Sequence, residues 1–324
     1  MKSKASSPAK KQVVLGQPAW RLVSSDVEAF VTELGGHLGP VTFDRRGRKI
    51  RPYSVAPWAE EKVDASLPPI LRVLRGDFFC LPFGGNSTLY HGEQHPVHGE
   101  TANGRWRFES LETNQGRTCL HLSLQTRIRP GRVDKRISLV AGQNVVYCRH
   151  EISGMRGPMN LGHHAMLKFP DASGSGALST SSFVYGQVFP EPVERPENRG
   201  YSFLKPGAKF KSLAAVLTIT GQTTDLSRYP ARRGLEDIAM IVSDVKEPFA
   251  WTAVTFLEEG YVWFALKDPR VLRETVFWFS NGGRHYPPWN GRHINVLGLE
   301  EVCSNFHPGL AESVGFTRGV LATM

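Results

Sequence analysis

The sequence predicts an all-β protein with few short helices, and three observations carry the prediction. Segments rich in Val, Ile, Thr, Phe and Trp recur along the chain, and "HLSLQTRI" (121–128) alternates apolar with polar residues as a half-buried strand does. Gly and Pro, 32 and 22 of them, separate these runs with turn signals. No strand–helix–strand alternation runs through the chain, which disfavours a parallel α/β architecture and points to a sandwich or barrel.

Taken in order, residues 1–12 are Lys, Ser, Ala and Pro with nothing to bury and read as a disordered basic tail. Residues 13–324 contain no linker-like stretch and no internal repeat, and read as a single β-sandwich domain. "PWAEEKVD" (57–64) is expected to form a short helix. "RVDKRISLVAGQNVVYCRHEISG" (132–154) reads as strand, tight turn at Gly142, strand. "NLGHHAML" (160–167) reads as a strand, which sends His163 and His164 to opposite faces, so that at most one enters a cleft. "FPEPVERPENRG" (189–200), Pro-rich and charged, is expected to be a long surface loop near a site. Strands follow at 214–220, 238–244, 250–258, 261–268 and 274–281, with a turn or two of helix expected in "DPRVLRETV" (268–276).

Composition narrows the function classes. A hydrophobic fraction of 40% and a charged fraction of 21% suit a soluble globular protein. Cys80, Cys119, Cys148 and Cys303 are dispersed without a C-x-x-C pair, which argues against a zinc ribbon. The N-terminal stretch has no apolar signal core, and no apolar run approaches the roughly 18 residues of a membrane helix. The expectation is a cytoplasmic protein with reduced thiols and no membrane partner. Of the net +9 charge, Lys2, Lys4, Lys10 and Lys11 lie in the tail, and the remaining arginines are dispersed, so no nucleic-acid partner is expected.

Four stretches concentrate catalysis-capable residues. "LRGDFFCLPFGGN" (74–86) carries Arg75, whose planar fork suits hydroxyls, carboxylates or phosphates, or else pairs with Asp77 to hold a loop. "HPVHGETANGRW" (95–106) carries His95 and His98, without the helix and intervening acid of a zincin motif, so no metal is expected there. Its Trp106 is either a stacking platform for a sugar or a core residue. The third is "NLGHHAML". The fourth, "VLGLEEV" (296–302), ends an apolar strand with Glu300 and Glu301, where a buried carboxylate is costly without partners. The chain has no G-x-S-x-G elbow, no P-loop and no dinucleotide fingerprint. A His and a Glu far apart in sequence on a β scaffold suit general acid–base chemistry.

The ordered set of these four stretches, over most of 16–312, resembles the aldose 1-epimerase (galactose mutarotase-like) family, including its hexose-6-phosphate epimerase branch. "LRGDFFCLPFGG" resembles the family's Arg-Gly segment ending in an aromatic–Pro pair. "HPVHGETANGRW" resembles its His-Gly stretch with a Trp eight residues on, and "HINVLGLEEV" its C-terminal strand ending in the catalytic Glu. The family's catalytic His stands four residues after the Asn of the strand that carries it, which here is Asn160 and then His164.

The resemblance implies a galactose mutarotase-like β-supersandwich that interconverts α and β anomers of a hexose or hexose derivative. His164 would act as general acid and Glu300 as general base, with no cofactor and no metal. Arg75 and His98 would bind sugar hydroxyls or a phosphate, Asn160 would belong to the substrate site, and Trp289 would line the cleft. A sugar-binding acid is matched best by Asp237, with Glu236 and Asp225 as rivals. His163 would hold the loop, and Glu301 would face outward. Ala102, followed by Asn103, stands where many phosphosugar relatives carry an Arg four residues after the His of the His-Gly stretch. The partner is a small sugar or sugar derivative, and the protein is expected to be a monomer or homodimer. The alternative is a non-catalytic carbohydrate-binding module or sensor on the same fold.

Overall fold

The computed structural model describes residues 10–321. Residues 1–9 of the expected tail lie outside the described residues, and the first strand already begins at Gln12. The chain divides into two compact units, Met1–Met159 and Asn160–Met324.

In the first unit the strands are β1 Gln12–Val14, β2 Gln17–Val23, β3 Glu28–Thr32, β4 Leu38–Thr42, β5 Asp77–Cys80, β6 Arg107–Asn114, β7 Arg117–Thr126, β8 Gly131–Val140 and β9 Val146–Ser153. The helices α1 Pro69–Val73 and α2 Gly99–Asn103 are single turns. Strands β1 to β5 pair antiparallel in chain order. Strands β6 to β9 form a four-stranded meander. The alternation read in 121–128 puts Leu120, Leu122 and Leu124 of β7 in the core. The expected β8–β9 hairpin is present, and Gly142 supplies the left-handed turn residue with φ 81°.

The helix expected at 57–64 is instead a run of turns. Ala59 N–H donates to Ala56 O and Glu61 N–H to Trp58 O, and no further helical bond follows. Tertiary packing overrides the local propensity: the Trp58 indole is buried and donates to Leu71 O at 2.6 Å, which pins the segment to α1. Trp106 is a core residue, not a platform. Its Nε1 donates to Thr101 O at 2.9 Å, and the buried Lys135 ammonium sits 4.9 Å from its ring.

In the second unit the strands are β10 Leu161–Lys168, β11 Gly176–Thr180, β12 Phe183–Val188, β13 Lys209–Phe210, β14 Val216–Leu217, β15 Thr223–Thr224, β16 Arg228–Tyr229, β17 Leu235–Ser243, β18 Ala250–Phe256, β19 Tyr261–Lys267, β20 Glu274–Asn281 and β21 Val296–Cys303. A helix, α3 Leu310–Leu321, follows. Six strands lie side by side in the order β10-β21-β20-β17-β12-β13, and four more in the order β16-β11-β18-β19. The run at 214–220 yields only the two residues of β14. The helix expected at 268–276 is one turn: Val271 and Leu272 N–H both reach Asp268 O, and β20 begins at Glu274. The Asp268 carboxylate takes the Arg270 N–H, closing the turn locally.

Strands β17, β20 and β21 are buried on both faces, so polar groups on them need partners within the protein. Glu301 is the clearest case. It points away from the Glu300 face, as expected, but it is not outward-facing in solvent. It is buried against the Lys267 ammonium at 2.6 Å and accepts from the hydroxyls of Thr252 and Thr275. Lys267 also donates to Glu274 O and Thr275 Oγ1, so all three of its donors are used. Truncating one partner strands the other charge. Lys267→Met is therefore expected to destabilise the fold by about 3–5 kcal/mol, and Lys267→Met with Glu301→Leu by much less. Urea denaturation of both variants checks this.

Candidate functional site

The site is built on one face of four adjacent strands. Strand β10 pairs with β21 so that His164 lies opposite Glu300 and His163 opposite Glu301. Strand β20 sets Trp278 opposite Gly298 and Val276 opposite Glu300. Strand β17 sets Glu236 opposite Ser280. Because side chains alternate, His164, Glu300, Trp278, Ser280 and Glu236 share a face. His164 Nε2 and Glu300 Oε1 are 3.1 Å apart, and both side chains are buried. Gly298 makes room for the pair. A Cβ there would sit 2.8 Å from Glu300 Oε1 and 3.0 Å from Trp278 Cβ.

Aromatic rings and one cation close the cluster. Trp278 stands edge-on to His164 at 5.7 Å and stacks on His293 at 5.3 Å. Trp289 stands edge-on to both Trp278 and His293. The Arg284 guanidinium lies 5.3 Å from the Trp278 ring and 4.7 Å from the Trp289 ring. Arg284 Nε donates to Glu194 Oε1 at 2.7 Å and lies 3.6 Å from Glu236 Oε1. Tyr286 Oη donates to the same Glu194 oxygen at 3.0 Å. Glu194 belongs to the Pro-rich 189–200 loop, which therefore reaches the site. Gly200 is required beside it, since a Cβ there would lie 2.3 Å from Glu194 Oε2.

The electrostatics follow from burial. Removal from water pushes the Glu300 carboxyl well above its ordinary value, with Arg284 opposing. Burial likewise pushes Glu236 up to about 7, against Arg284 and hydrogen bonds from Ser280 and Trp278, whose Nε1 donates to Glu236 Oε1 at 2.6 Å. Burial and the Arg284 charge pull His293 down to about 3, so it stays neutral. Its Nδ1 shares a 2.7 Å hydrogen bond with the Ser280 hydroxyl. The arrangement offers one carboxyl, Glu236, that titrates near neutrality, a second, Glu300, raised by burial and in contact with an imidazole, and indole rings alongside.

The other expected site residues fall as follows. Trp289 lies in the cluster. Asp237 does not, because it alternates to the opposite face of β17 from Glu236. Its Oδ1 accepts the N–H groups of Phe203 and Leu204, so it fastens a loop. Glu236 takes the place expected of Asp237. Asp225 accepts from Ser227 at the surface. Asn160 Nδ2 donates to the hydroxyls of Ser304 and Ser313, tying the start of β10 to the C-terminal segment.

Arg75 and His98 belong to the first unit. Arg75 is fully buried, and its three nitrogens donate to the carbonyls of Val73, Val14 and Leu15, so it clamps the β1–β2 turn to α1. His98 precedes α2 in the left-handed region, accepts the Gly84 N–H at Nδ1, and lies edge-on to Phe78 and Phe83. His95 turns instead to Glu93 at 2.9 Å, itself held by Arg129.

Glu194, Trp278, Arg284, Tyr286 and His293 are the residues that sequence reasoning missed. The available signal was the density of Arg, His and Trp after the Gly282–Gly283 pair in "NGGRHYPPWNGRH". Among the described residues no group of three or more His, Cys, Asp and Glu is arranged to hold a metal, and no helix is long and apolar enough to cross a membrane.

A pH prediction follows from Glu236. A carboxyl raised in the folded state stabilises it fully below the unfolded value near 4.5, and the contribution is lost as pH rises through about 7. Relative to Glu236→Gln, the wild type is therefore expected to lose stability between pH 5 and pH 8, by up to about 3 kcal/mol. Chemical denaturation of both proteins across that range measures it.

No protein-family model matches the sequence, and no curated protein matches it. Solved structures do. A candidate aldose 1-epimerase from Klebsiella pneumoniae aligns with a TM-score of 0.59 at 13% identity, over 90% of this chain and 72% of that one. A candidate aldose 1-epimerase from Escherichia coli K12 aligns with a TM-score of 0.50 at 14% identity, over 90% and 94%. A galactose mutarotase-like protein from Clostridium acetobutylicum aligns with a TM-score of 0.50 at 11% identity, over 92% and 88%. Identities this low speak to backbone architecture alone. The chain has the all-β, galactose mutarotase-like fold of these structures.

Proposed function

We propose that the protein interconverts the α and β anomers of a hexose or hexose derivative by acid–base ring opening. The observation that supports this reading best is the contact between His164 Nε2 and Glu300 Oε1 within a buried, aromatic-walled cluster. Glu300 removes the proton from the anomeric hydroxyl. The C1 carbonyl forms, the bond from C1 to the ring oxygen breaks, and His164 delivers a proton to that oxygen. Rotation about C1–C2 presents the other carbonyl face. Closure reverses both transfers and restores the starting protonation, so no cofactor is consumed.

The surrounding groups suit a sugar. Trp278, edge-on to His164, and Trp289 supply apolar surface beside the pair for the sugar's C–H groups. Glu236 and Arg284 offer an acceptor and donors for its hydroxyls. One observation favours an acidic sugar among hexose derivatives. Arg284 is bound only through Nε, and its terminal nitrogens make no hydrogen bond to any described residue. That leaves a fork suited to a carboxylate.

Exchange NMR of anomeric protons tests the reading with glucose, galactose, glucose 6-phosphate and a uronic acid. Wild type is expected to accelerate α/β exchange for at least one of them. His164→Ala and Glu300→Gln are each expected to lower the rate by about 10²–10⁴-fold with the fold intact, and His163→Ala to do much less. Line broadening without accelerated exchange for every sugar would replace this reading with a binding module. Glu300 must be ionised to act as base, and its ionised fraction falls as pH falls through its raised value. The acid limb of kcat/KM is therefore expected well above pH 4.5, and a limb at or below 4.5 would remove Glu300 from the role.

A further inference from the structure

The β18–β19 hairpin carries an apolar face that the described chain leaves uncovered. Strand β19 is the edge of its four-stranded sheet, and its residues alternate cleanly. Tyr261, Trp263, Ala265 and Lys267 turn to the protein side. Val262, Phe264 and Leu266 turn to the outer face. The register continues that face onto β18, with Thr255 beside Val262, Ala253 beside Phe264 and Trp251 beside Leu266. Phe249 and Leu257 flank the two ends of β18. The five residues Phe249, Leu257, Val262, Phe264 and Leu266 each keep between 50% and 65% of their surface exposed.

The devices that usually blunt an exposed edge strand are missing from β19, so it stays a regular strand that presents its outer side chains evenly. Between Tyr261 and Leu266 there is no Pro and no charge, and the seven β18–β19 residue pairs run without a bulge. Charge begins only at the ends, with Glu258 and Glu259 at the turn and Asp268 beyond β19. A charged ligand or polymer finds no counter-charge on this face. A matching apolar face does find complementarity, and the same face on a second copy supplies one.

We infer that this face is the interface of a homodimer, in which the β18–β19 hairpins of two copies pack face to face about a two-fold axis near Phe264. Identical patches meet in such an isologous contact, so one apolar face is sufficient. The area is adequate. The five exposed side chains present on the order of 500 Å², taking about 150–200 Å² for a large apolar side chain that is fully exposed. The part-exposed Trp251 and Thr255 and the adjoining main chain extend this towards the ~800 Å² that each partner contributes to a standard stable interface. Two sheets packed in this way lie about 10 Å apart, which leaves room for Phe264 and Leu266 to interleave with their mates.

Sedimentation equilibrium of the full chain from about 1 to 100 µM tests the inference. Wild type is expected at twice the 36.0 kDa chain mass. Phe264→Glu is expected to be monomeric, with dissociation shifted at least 100-fold, an unchanged circular dichroism spectrum and unchanged anomeric exchange. If Phe264→Glu does not fold, Val262→Lys with Leu266→Lys, both on the outer face, replaces it. A wild type that stays monomeric throughout would overturn the inference, as would folded variants that remain dimeric. A chain that dimerises only after deletion of residues 1–9 would also overturn it, by identifying the N-terminal segment as the occupant of this face.

Discussion

The contact between His164 and Glu300 exists because β10 and β21 are antiparallel neighbours in one particular register. A slip of a single residue would carry every side chain of one strand to the opposite face and separate the pair. The site does not hold this register by itself. On its own face, Gly162 and Gly298 keep the strands close, since a Cβ at Gly162 would meet Val302 Cγ1 at 2.4 Å and one at Gly298 would meet Glu300 Oε1. On the far face, Glu301 is tied to β18, β19 and β20 through Thr252, Lys267 and Thr275. The face that carries His164 and Glu300 is thus positioned in part by polar bonds on the face behind it.

Adjacent carboxyls on one strand consequently meet opposite conditions. Glu301 faces an ammonium and two hydroxyls that satisfy a charged carboxylate. Glu300 is desolvated to the same degree but touches an imidazole, with the nearest strong cation, Arg284, acting only at longer range. Burial without full compensation raises a carboxyl, and a raised carboxyl can take and return protons near neutrality. Glu236 repeats the pattern with Arg284 at 3.6 Å and indole and hydroxyl donors that only partly offset its burial. Arg284 stays charged over two indole faces and limits how far these carboxyls rise. Its link to Glu194 brings the 189–200 loop into the same electrostatic unit.

Much of this was legible in local pattern. Alternation in "NLGHHAML" already separates His163 from His164, and the strand ending in Glu300 and Glu301 separates those two. The choice between Glu236 and Asp237 was not legible, because β17 continues as "IAMIVS", apolar on both faces, and gives the alternation no phase. Only pairing with β20 sets Glu236 beside Ser280 and sends Asp237 to a loop. Arg75 shows a different limit. An arginine suited to hydroxyls is equally suited to three main-chain carbonyls, and which it meets depends on where the β1–β2 turn and the end of α1 lie. The helix expected at 57–64 gives way to turns around the buried Trp58, while the turn or two expected at 268–276 is a single turn closed by Asp268.

The sequence by itself determined the strand-rich class, the hairpin at Gly142, and that the paired histidines, like the paired glutamates, fall on opposite faces of their strands. These are local matters, set by side-chain periodicity and turn chemistry within about ten residues. Tertiary structure decided which acid joins His164 and Glu300, that Trp278 and Arg284 wall the cluster, that Arg75 serves the backbone, and that Glu301 is buried. Each of these depends on which strands lie side by side. Strand order arises from long-range packing, and neither alternation nor turn residues encode it.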